Sequence, residues 1–432
     1  MIKNKHAFEK VQLHILKKKF NIFKVNHIKV KMNHILEDIL VIDCASYIAG
    51  PAAATIMSDF GARVVKIEPP DAGDSYRGLI RLPGLPEGGG NYPWTLTNRN
   101  KESLAMDLKE KEAQEILNKL IMEADIFITN YPFPVRQKLK ITAPDIMKKN
   151  DRLIYGSLTP YGENGPEKDR TGYDATAWWA RSGMMHSIRE NSDSVPNGSV
   201  PGMGDHPTAS AFFGVLMLAL YKRNITGKGS EVGSSLLSNG LWSNGIYVQA
   251  ALSDAAFIDT QERGTKGALA ERYRCKDGRW FLLVILNEEK EWPLMLECIK
   301  REDLNVDERF NTRPARASNS LELLEILDKE FVKFNWKELE NLFKDSGVTF
   351  GPISEPNDHI NDTQIRENNF FKEYSNNKGL FTVDSPLYMS DEEKKEPEMA
   401  PEIGANTYSI LTELGYNNED IKFLEERKII KT

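Results

Sequence analysis

The chain has 432 residues, 40% of them hydrophobic and 28% charged, with a formal net charge of −7. That length supports two domains with a core each, and no run approaches the ~18–20 consecutive apolar residues that a membrane span needs. The charge is uneven: residues 1–31 hold nine lysines against one acid, Glu9, so the remainder is strongly acidic and does not look like a nucleic-acid binder. Three separated cysteines, Cys44, Cys275 and Cys298, make no metal-ligand spacing and fit a reducing cytosol.

The basic segment 1–32 admits several readings: a membrane or nucleic-acid arm, a transit peptide, or translated sequence upstream of a true start at Met32. It lacks the Arg and Ser of a transit peptide and the apolar core of a secretory signal. The expectation is a start at Met32 or a disordered arm.

Beyond it, Ile39–Asp43 is a short apolar run ending at a loop, the pattern of a buried parallel strand. Pro51 suits a first helical position, and Ala52, Ala53 and Ala54 allow that helix to pack closely on a sheet. Arg63–Ile67 reads as the second strand, Asp71–Pro93 as a long loop, Lys109–Glu123 as a helix, and Asp125–Thr129 and Arg152–Leu158 as the strands that follow it. Strands alternating with helices predict a doubly wound, Rossmann-like α/β domain. No Gly-x-Gly-x-x-Gly follows the first strand, so a nicotinamide dinucleotide fingerprint is missing, although the Ser46–Pro51 loop is placed to hold a nucleotide-bearing ligand. Pro207–Arg223 and Ser234–Leu252 read as core or interface helices, and Arg279–Val284 opens a second domain with helices at Glu291–Lys300, Leu321–Phe334 and Trp336–Asp345. Ser375–Met399 reads as loop and extended chain, and Asn418–Arg427 as a terminal helix.

The chemistry concentrates between Pro160 and Gly183. A Gly/Pro-rich loop, Pro160-Tyr161-Gly162-Glu163-Asn164-Gly165-Pro166, leads through Gly172-Tyr173-Asp174 into a helix carrying Trp178 and Trp179. Backbone amides and the positive end of that helix favour an anion, so Asp174 is a candidate nucleophile and equally an ordinary N-terminal cap. The two tryptophans serve as a water-excluding wall or as core.

The ordered set Ser46-Tyr47-Ile48-Ala49-Gly50-Pro51, Val65-Lys66-Ile67-Glu68-Pro69-Pro70, Asn98-Arg99-Asn100-Lys101, Leu108-Lys109, Asn130-Tyr131, Gly172-Tyr173-Asp174 and Thr226-Gly227-Lys228-Gly229 resembles the class III CoA-transferases from about Leu36 onward. These include formyl-CoA, carnitine and 2-hydroxyacid CoA-transferases. The resemblance implies a large CoA-binding domain over 33–225, a helical linker over 226–262, a smaller α+β domain over 263–365, a return to the large domain over 366–432, and an interlocked homodimer. It implies Asp174 as nucleophile, forming aspartyl anhydride and aspartyl-CoA thioester intermediates, with coenzyme A as substrate and neither metal nor resident cofactor. It maps Tyr47, Ile48 and Ala49 onto the adenine side and Lys109, Asn130, Tyr131 and Lys138, with Arg136 as an alternative, onto ribose and phosphates. The glycine run that many members close over the nucleophile is reduced here to Arg263-Gly264-Thr265-Lys266-Gly267.

The implied reaction moves CoA from an acyl-CoA to a free carboxylic acid, with an aryl or branched 2-hydroxy acid as the narrower guess, in the cytoplasm. Two alternatives stand beside it. An α-methylacyl-CoA racemase shares the fold, but its histidine before the motif aspartate is Tyr173 here, a poor proton shuttle with an ordinary pKa of about 10. Asp205-His206 retains an acid–base pair or a helix-capping pair. A non-catalytic acyl-CoA binding protein on the same fold is the other.

Overall fold

The computed structural model describes residues 33–191, 193–257 and 263–432, so the calls made for residues 1–32 lie outside the described residues. Its centre is a seven-stranded sheet in the order β12-β3-β2-β1-β4-β5-β6. The members are β1 (Leu40–Cys44), β2 (Arg63–Glu68), β3 (Lys101–Met106), β4 (Ile126–Thr129), β5 (Ile154–Thr159), β6 (Glu231–Ser235) and β12 (Ile430–Lys431). Every neighbouring pair is parallel except β12 with β3.

Apolar runs such as those of β1 and β4 are buried on both faces, because helices cover the sheet from either side. One layer contains the Ala49–Asp59 and Asp205–Thr226 helices with Trp178 and Trp179. The other contains the helices Lys111–Glu123, Thr407–Glu413 and Asn418–Glu426. The alanines of the first helix are all buried, and that small-residue face allows its close approach to the sheet.

Two strands have no counterpart in the apolar pattern. β3 begins Lys-Glu-Ser, and its first residue is buried because the Lys101 ammonium finds Asp43 at 2.9 Å. β6 is Glu-Val-Gly-Ser-Ser, an edge strand of mostly polar residues. The first helix starts at Ala49, two residues before Pro51, and the Asp71–Pro93 loop contains a 3-10 turn at Ser75–Arg81. The expected Ser234–Leu252 helix is two, Leu236–Ser243 and Gly245–Leu252, with Asn244 between them.

The Thr226-Gly227-Lys228-Gly229 motif has a structural explanation. Gly227 ends the long helix at φ +75°, and a Cβ on Gly229 would lie 2.0 Å from the Leu153 carbonyl oxygen. Only glycines fit this crossing beneath β5.

A separate core lies around three antiparallel strands, β7 (Arg272–Arg274), β8 (Trp280–Leu283) and β9 (Phe350–Pro352), with helices Glu288–Ile299, Ser320–Phe331 and Trp336–Ser346. Tyr273, Phe281, Phe331 and Phe343 pack edge to face or tilted at its centre. A hairpin of β10 (Phe371–Tyr374) and β11 (Asn377–Val383) precedes the return to the large sheet through β12. Among the described residues no helix is long and apolar enough to cross a membrane.

Candidate functional site

The order of the parallel strands reverses between β1 and β4, with β2 and β3 added on one side and β4 and β5 on the other, and in open α/β sheets ligands sit beyond the carboxyl ends of strands at such a switch point. Asn130, just past β4, clasps the loop past β1 there: its side-chain oxygen accepts the Ser46 amide at 2.8 Å and its amide donates to the Ser46 carbonyl at 2.6 Å. The neighbouring Tyr47 holds φ +63°, a left-handed conformation that costs a bulky residue of order 1 kcal/mol. It is fixed from beneath, since Asp74 accepts its amide at 3.2 Å.

Asp74 belongs to a buried charge network. Lys66 pairs with Asp74 at 2.7 Å and lies 4.0 Å from Asp43, and it also donates to the Ala45 carbonyl. Lys101 pairs with Asp43 and donates to the carbonyls of Pro51 and Thr97 and to Asn98 Oδ1. Two cations face two anions, so the site is neutral as a whole and every charge is hydrogen-bonded. Burial opposes ionisation of Asp43, but Lys101 and Lys66 outweigh it and hold its pKa below the ordinary value. Glu68 is held down likewise, against burial, by Arg77 and Ser103, while it accepts the Asp74 amide at 2.9 Å. The Val-Lys-Ile-Glu and Asn-Arg-Asn-Lys motifs thus build the floor under the Tyr47 loop. For Lys66 the legible signal is a lysine inside an apolar strand, which demands a buried partner; Lys101 opens a polar stretch and carries no such signal.

Asp174 stands at the start of a π-helical segment, Ala175–Ala180. Its Oδ1 accepts the Ala175 amide at 2.7 Å and its Oδ2 accepts the Gly204 amide at 3.2 Å. The carboxylate is buried at 9% exposure. Beside it the Tyr173 ring meets the Tyr47 ring edge-on at 5.5 Å, which joins the nucleophile candidate's loop to the switch-point loop. Trp178 and Trp179 are buried and stacked at 6.1 Å, and Gly204 sits on the Trp178 indole. They are core and at the same time the apolar backing of Asp174.

The expected ligand residues divide into two sets. Ile48 and Ala49 are buried at the helix start behind Tyr47, and Asn130 is engaged with Ser46. Tyr131 is half-buried beside them. Lys109, beyond β3, and Lys138, at the end of the Phe133–Lys138 helix, are exposed. Arg136 is buried and paired with Glu163 at 2.7 Å, so its charge is committed to anchoring the Pro160–Pro166 loop. The Arg263–Gly267 segment is tied to its own unit, through Arg263 with Asp328 at 2.6 Å and the Gly264 amide with Glu271 at 2.8 Å.

Asp205 and His206 cap nothing: the long helix starts at Asp205 itself, after Gly204, with no side-chain cap. Both feel the Asp174 charge. The groups packed around the His206 ring lower its pKa by shielding it from water, with Asp174 opposing, although the residue keeps an exposed face, and the ring lines a cavity of about 430 Å³ with Thr55, Thr97, Arg99, Val383 and Ser385. The Ser385 hydroxyl is buried there without a hydrogen-bond partner among the described residues. Cys44 behaves as a small apolar group, its thiol pushed up to about 12 by burial. Among the described residues no group of three or more His, Cys, Asp or Glu is arranged to hold a metal ion.

Comparison with known proteins places this geometry. The chain is 32% identical over 402 residues to the (R)-2-hydroxy-4-methylpentanoate CoA-transferase of Clostridioides difficile, covering 92% of this chain and 100% of that protein. It is 31% identical to the cinnamoyl-CoA:phenyllactate CoA-transferase of Clostridium sporogenes, over 90% of this chain and 96% of that one. Its fold matches the crystal structure of a CAIB/BAIF family protein from Brucella suis with a TM-score of 0.79 at 24% identity, over 89% of this chain and 100% of that one. The model of CoA-transferase family III matches residues 36–407, and the chain, a CoA-transferase, belongs to that family.

Proposed function

We propose that Asp174 is the nucleophile through which this enzyme moves CoA from an acyl-CoA to a free carboxylic acid. The observation that carries the reading is the buried Asp174 carboxylate, held by two backbone amides and joined through Tyr173 and Tyr47 to the loop at the switch point. A carboxylate oxygen of Asp174 attacks the thioester carbonyl, the C–S bond breaks, and CoA leaves as thiolate. The thiolate attacks the Asp174 carbonyl of the resulting anhydride, releasing the first acid as carboxylate and leaving an aspartyl-CoA thioester. The acceptor carboxylate then attacks that thioester, and the returning thiolate takes the acceptor's acyl carbon and frees Asp174. No proton is consumed. The anhydride and the thioester both hydrolyse, so the tryptophan backing and burial of Asp174 protect them.

For CoA, Tyr47, Ile48 and Ala49 would receive the adenine side, with Lys109 and Lys138 as point charges for phosphate and Tyr131 beside them. Asn130 would act by fixing Ser46. A 2-hydroxy acid with an apolar side chain is the acceptor we favour, because the two relatives above carry such acids in their names and the cavity beside His206 combines apolar groups, Ala52, Ile56, Leu96 and Ala209, with polar ones, Thr55, Arg99 and Ser385.

We place the segment 263–365 as a smaller domain between the two portions of the large one, and the enzyme as a cytoplasmic, interlocked homodimer. Trp242, Ile246 and Leu252 project from the Leu236–Leu252 helices at 87%, 86% and 76% exposure, an apolar surface of the kind subunits bury.

The test is transfer of CoA from an acyl-CoA to a panel of free acids, followed together with exchange of the donor's α-proton into deuterated solvent. New acyl-CoA formed without exchange is the expected result. Exchange without transfer would replace this reading by racemase chemistry.

A further inference from the structure

The cavity beside His206 has a buried hydroxyl in its wall with nothing to bind. Other polar side chains of that wall are engaged within the protein: Thr55 donates to the Pro51 and Thr97 carbonyls at 3.0 and 2.5 Å, and Ser210 to the His206 carbonyl at 3.3 Å. Its charges are neutralised, Arg99 by Asp59 at 2.7 Å and Asp384 by Lys394 at 2.9 Å. Ser385 is different: the residue is 9% exposed, and its hydroxyl has no hydrogen-bond partner among the described residues. Its backbone is pinned, because the Ser385 amide donates to Asp384 Oδ1 at 2.8 Å and its carbonyl accepts from Lys394 Nζ at 2.6 Å. A buried polar group left unpaired is costly, and it marks a place where something else supplies the bond.

The cavity also adjoins the reacting carboxylate. The His206 ring rests on Gly202, where an added Cβ would lie 3.1 Å from Cδ2 and 3.2 Å from Nε2. Gly202 stands two residues before Gly204, whose amide holds Asp174 Oδ2 at 3.2 Å. One imidazole therefore stands between the cavity and the turn that aims Asp174.

We propose that Ser385 is a specificity-determining residue that hydrogen-bonds the 2-hydroxyl of the acceptor acid while the acid's apolar side chain fills this cavity. This rests on the reading of the acceptor as a 2-hydroxy acid. With Arg99 committed to Asp59, the wall offers no free cation for a carboxylate, so the carboxylate stays at the His206 end, where it attacks the Asp174 thioester. What the wall lacks is a neutral partner. An acid without the hydroxyl leaves Ser385 unpaired in a filled cavity, and that difference is the selectivity. The effect belongs to the acid substrate and to its KM.

The experiment compares kcat/KM for 2-hydroxy-4-methylpentanoate and for 4-methylpentanoate, its analogue without the hydroxyl, at saturating cinnamoyl-CoA, in wild type, Ser385→Ala and Ser385→Thr. The wild type should favour the hydroxy acid by about tenfold, the worth of one hydrogen bond to a buried group. Ser385→Ala should lose that preference through a raised KM for the hydroxy acid alone, and it should unfold on heating no earlier than wild type, because it removes an unpaired group. Ser385→Thr keeps the hydroxyl and should keep the preference. A Ser385→Ala enzyme that still favours the hydroxy acid overturns the proposal and leaves the substrate reading standing. A wild type that takes both acids equally, or neither, removes the substrate reading and the proposal with it.

Discussion

Gly204 donates its amide to Asp174 Oδ2 at 3.2 Å while its α-carbon rests on the indole of Trp178, four residues past Asp174. The carboxylate, the amide that aims it and the ring that backs it are therefore one packed unit.

Substituting Gly204→Ala tests that unit. A Cβ there would lie 2.5 Å from Trp178 Cγ and 2.7 Å from its Cβ, too close without movement. Overpacking of this kind costs ~1–3 kcal/mol. Displacing the amide should lower kcat by about 100-fold, as misplacement by about 1 Å does. Thermal unfolding and steady-state kinetics read the two effects separately.

Asn130→Ala removes both hydrogen bonds to the Ser46 backbone. Freed from them, the Tyr47 loop should relax from its left-handed conformation, and the KM for acyl-CoA should rise about tenfold, the equivalent of ~1–2 kcal/mol of lost positioning. Asn130→Asp, which keeps the acceptor and loses the donor, should fall between. Equal KM in all three would make Asn130 irrelevant to CoA binding.

Strand periodicity made the parallel core legible, since β1, β2, β4 and β5 are apolar runs ending in loops. β3 escaped because Lys101, Glu102 and Ser103 read as surface, and only the folded chain brings Asp43 to Lys101. Asp174 was visible through its Gly/Pro-rich approach. Gly204, thirty residues further on, was not, because the pairing of a backbone amide with a distant carboxylate leaves no trace in residue type. The lysines at 66 and 101 stood in noted motifs, yet their function under the Tyr47 loop depends on charges contributed by β1 and by the turn at Asp74.

The Lys101→Met variant leaves Asp43 with only Lys66, at 4.0 Å. Breaking a buried pair costs ~3–5 kcal/mol, so the urea midpoint at pH 7 should fall sharply. Asp43 and Glu68 have folded pKa values below the unfolded ones, so their contribution is present above the ordinary carboxylate range and lost as pH falls through the depressed values. Acid unfolding of the wild type should therefore begin below about pH 4, and that of Lys101→Met at higher pH. Coincident acid transitions would remove the network from the stability account.

Trp242→Glu places a charge on the exposed apolar helix surface. Light scattering should show the wild type as a dimer and the variant as aggregate or unfolded chain, because an interlocked pair has no independently folded subunit. A monomeric wild type would refute the dimer.

The most direct test of the central claim is the intact mass of the enzyme after incubation with acyl-CoA and trapping with hydroxylamine. Wild type should carry a modification located at Asp174 by peptide mapping, and Asp174→Ala should carry none. Modification at another residue, or equal modification of both proteins, would contradict the assignment of Asp174 as the nucleophile.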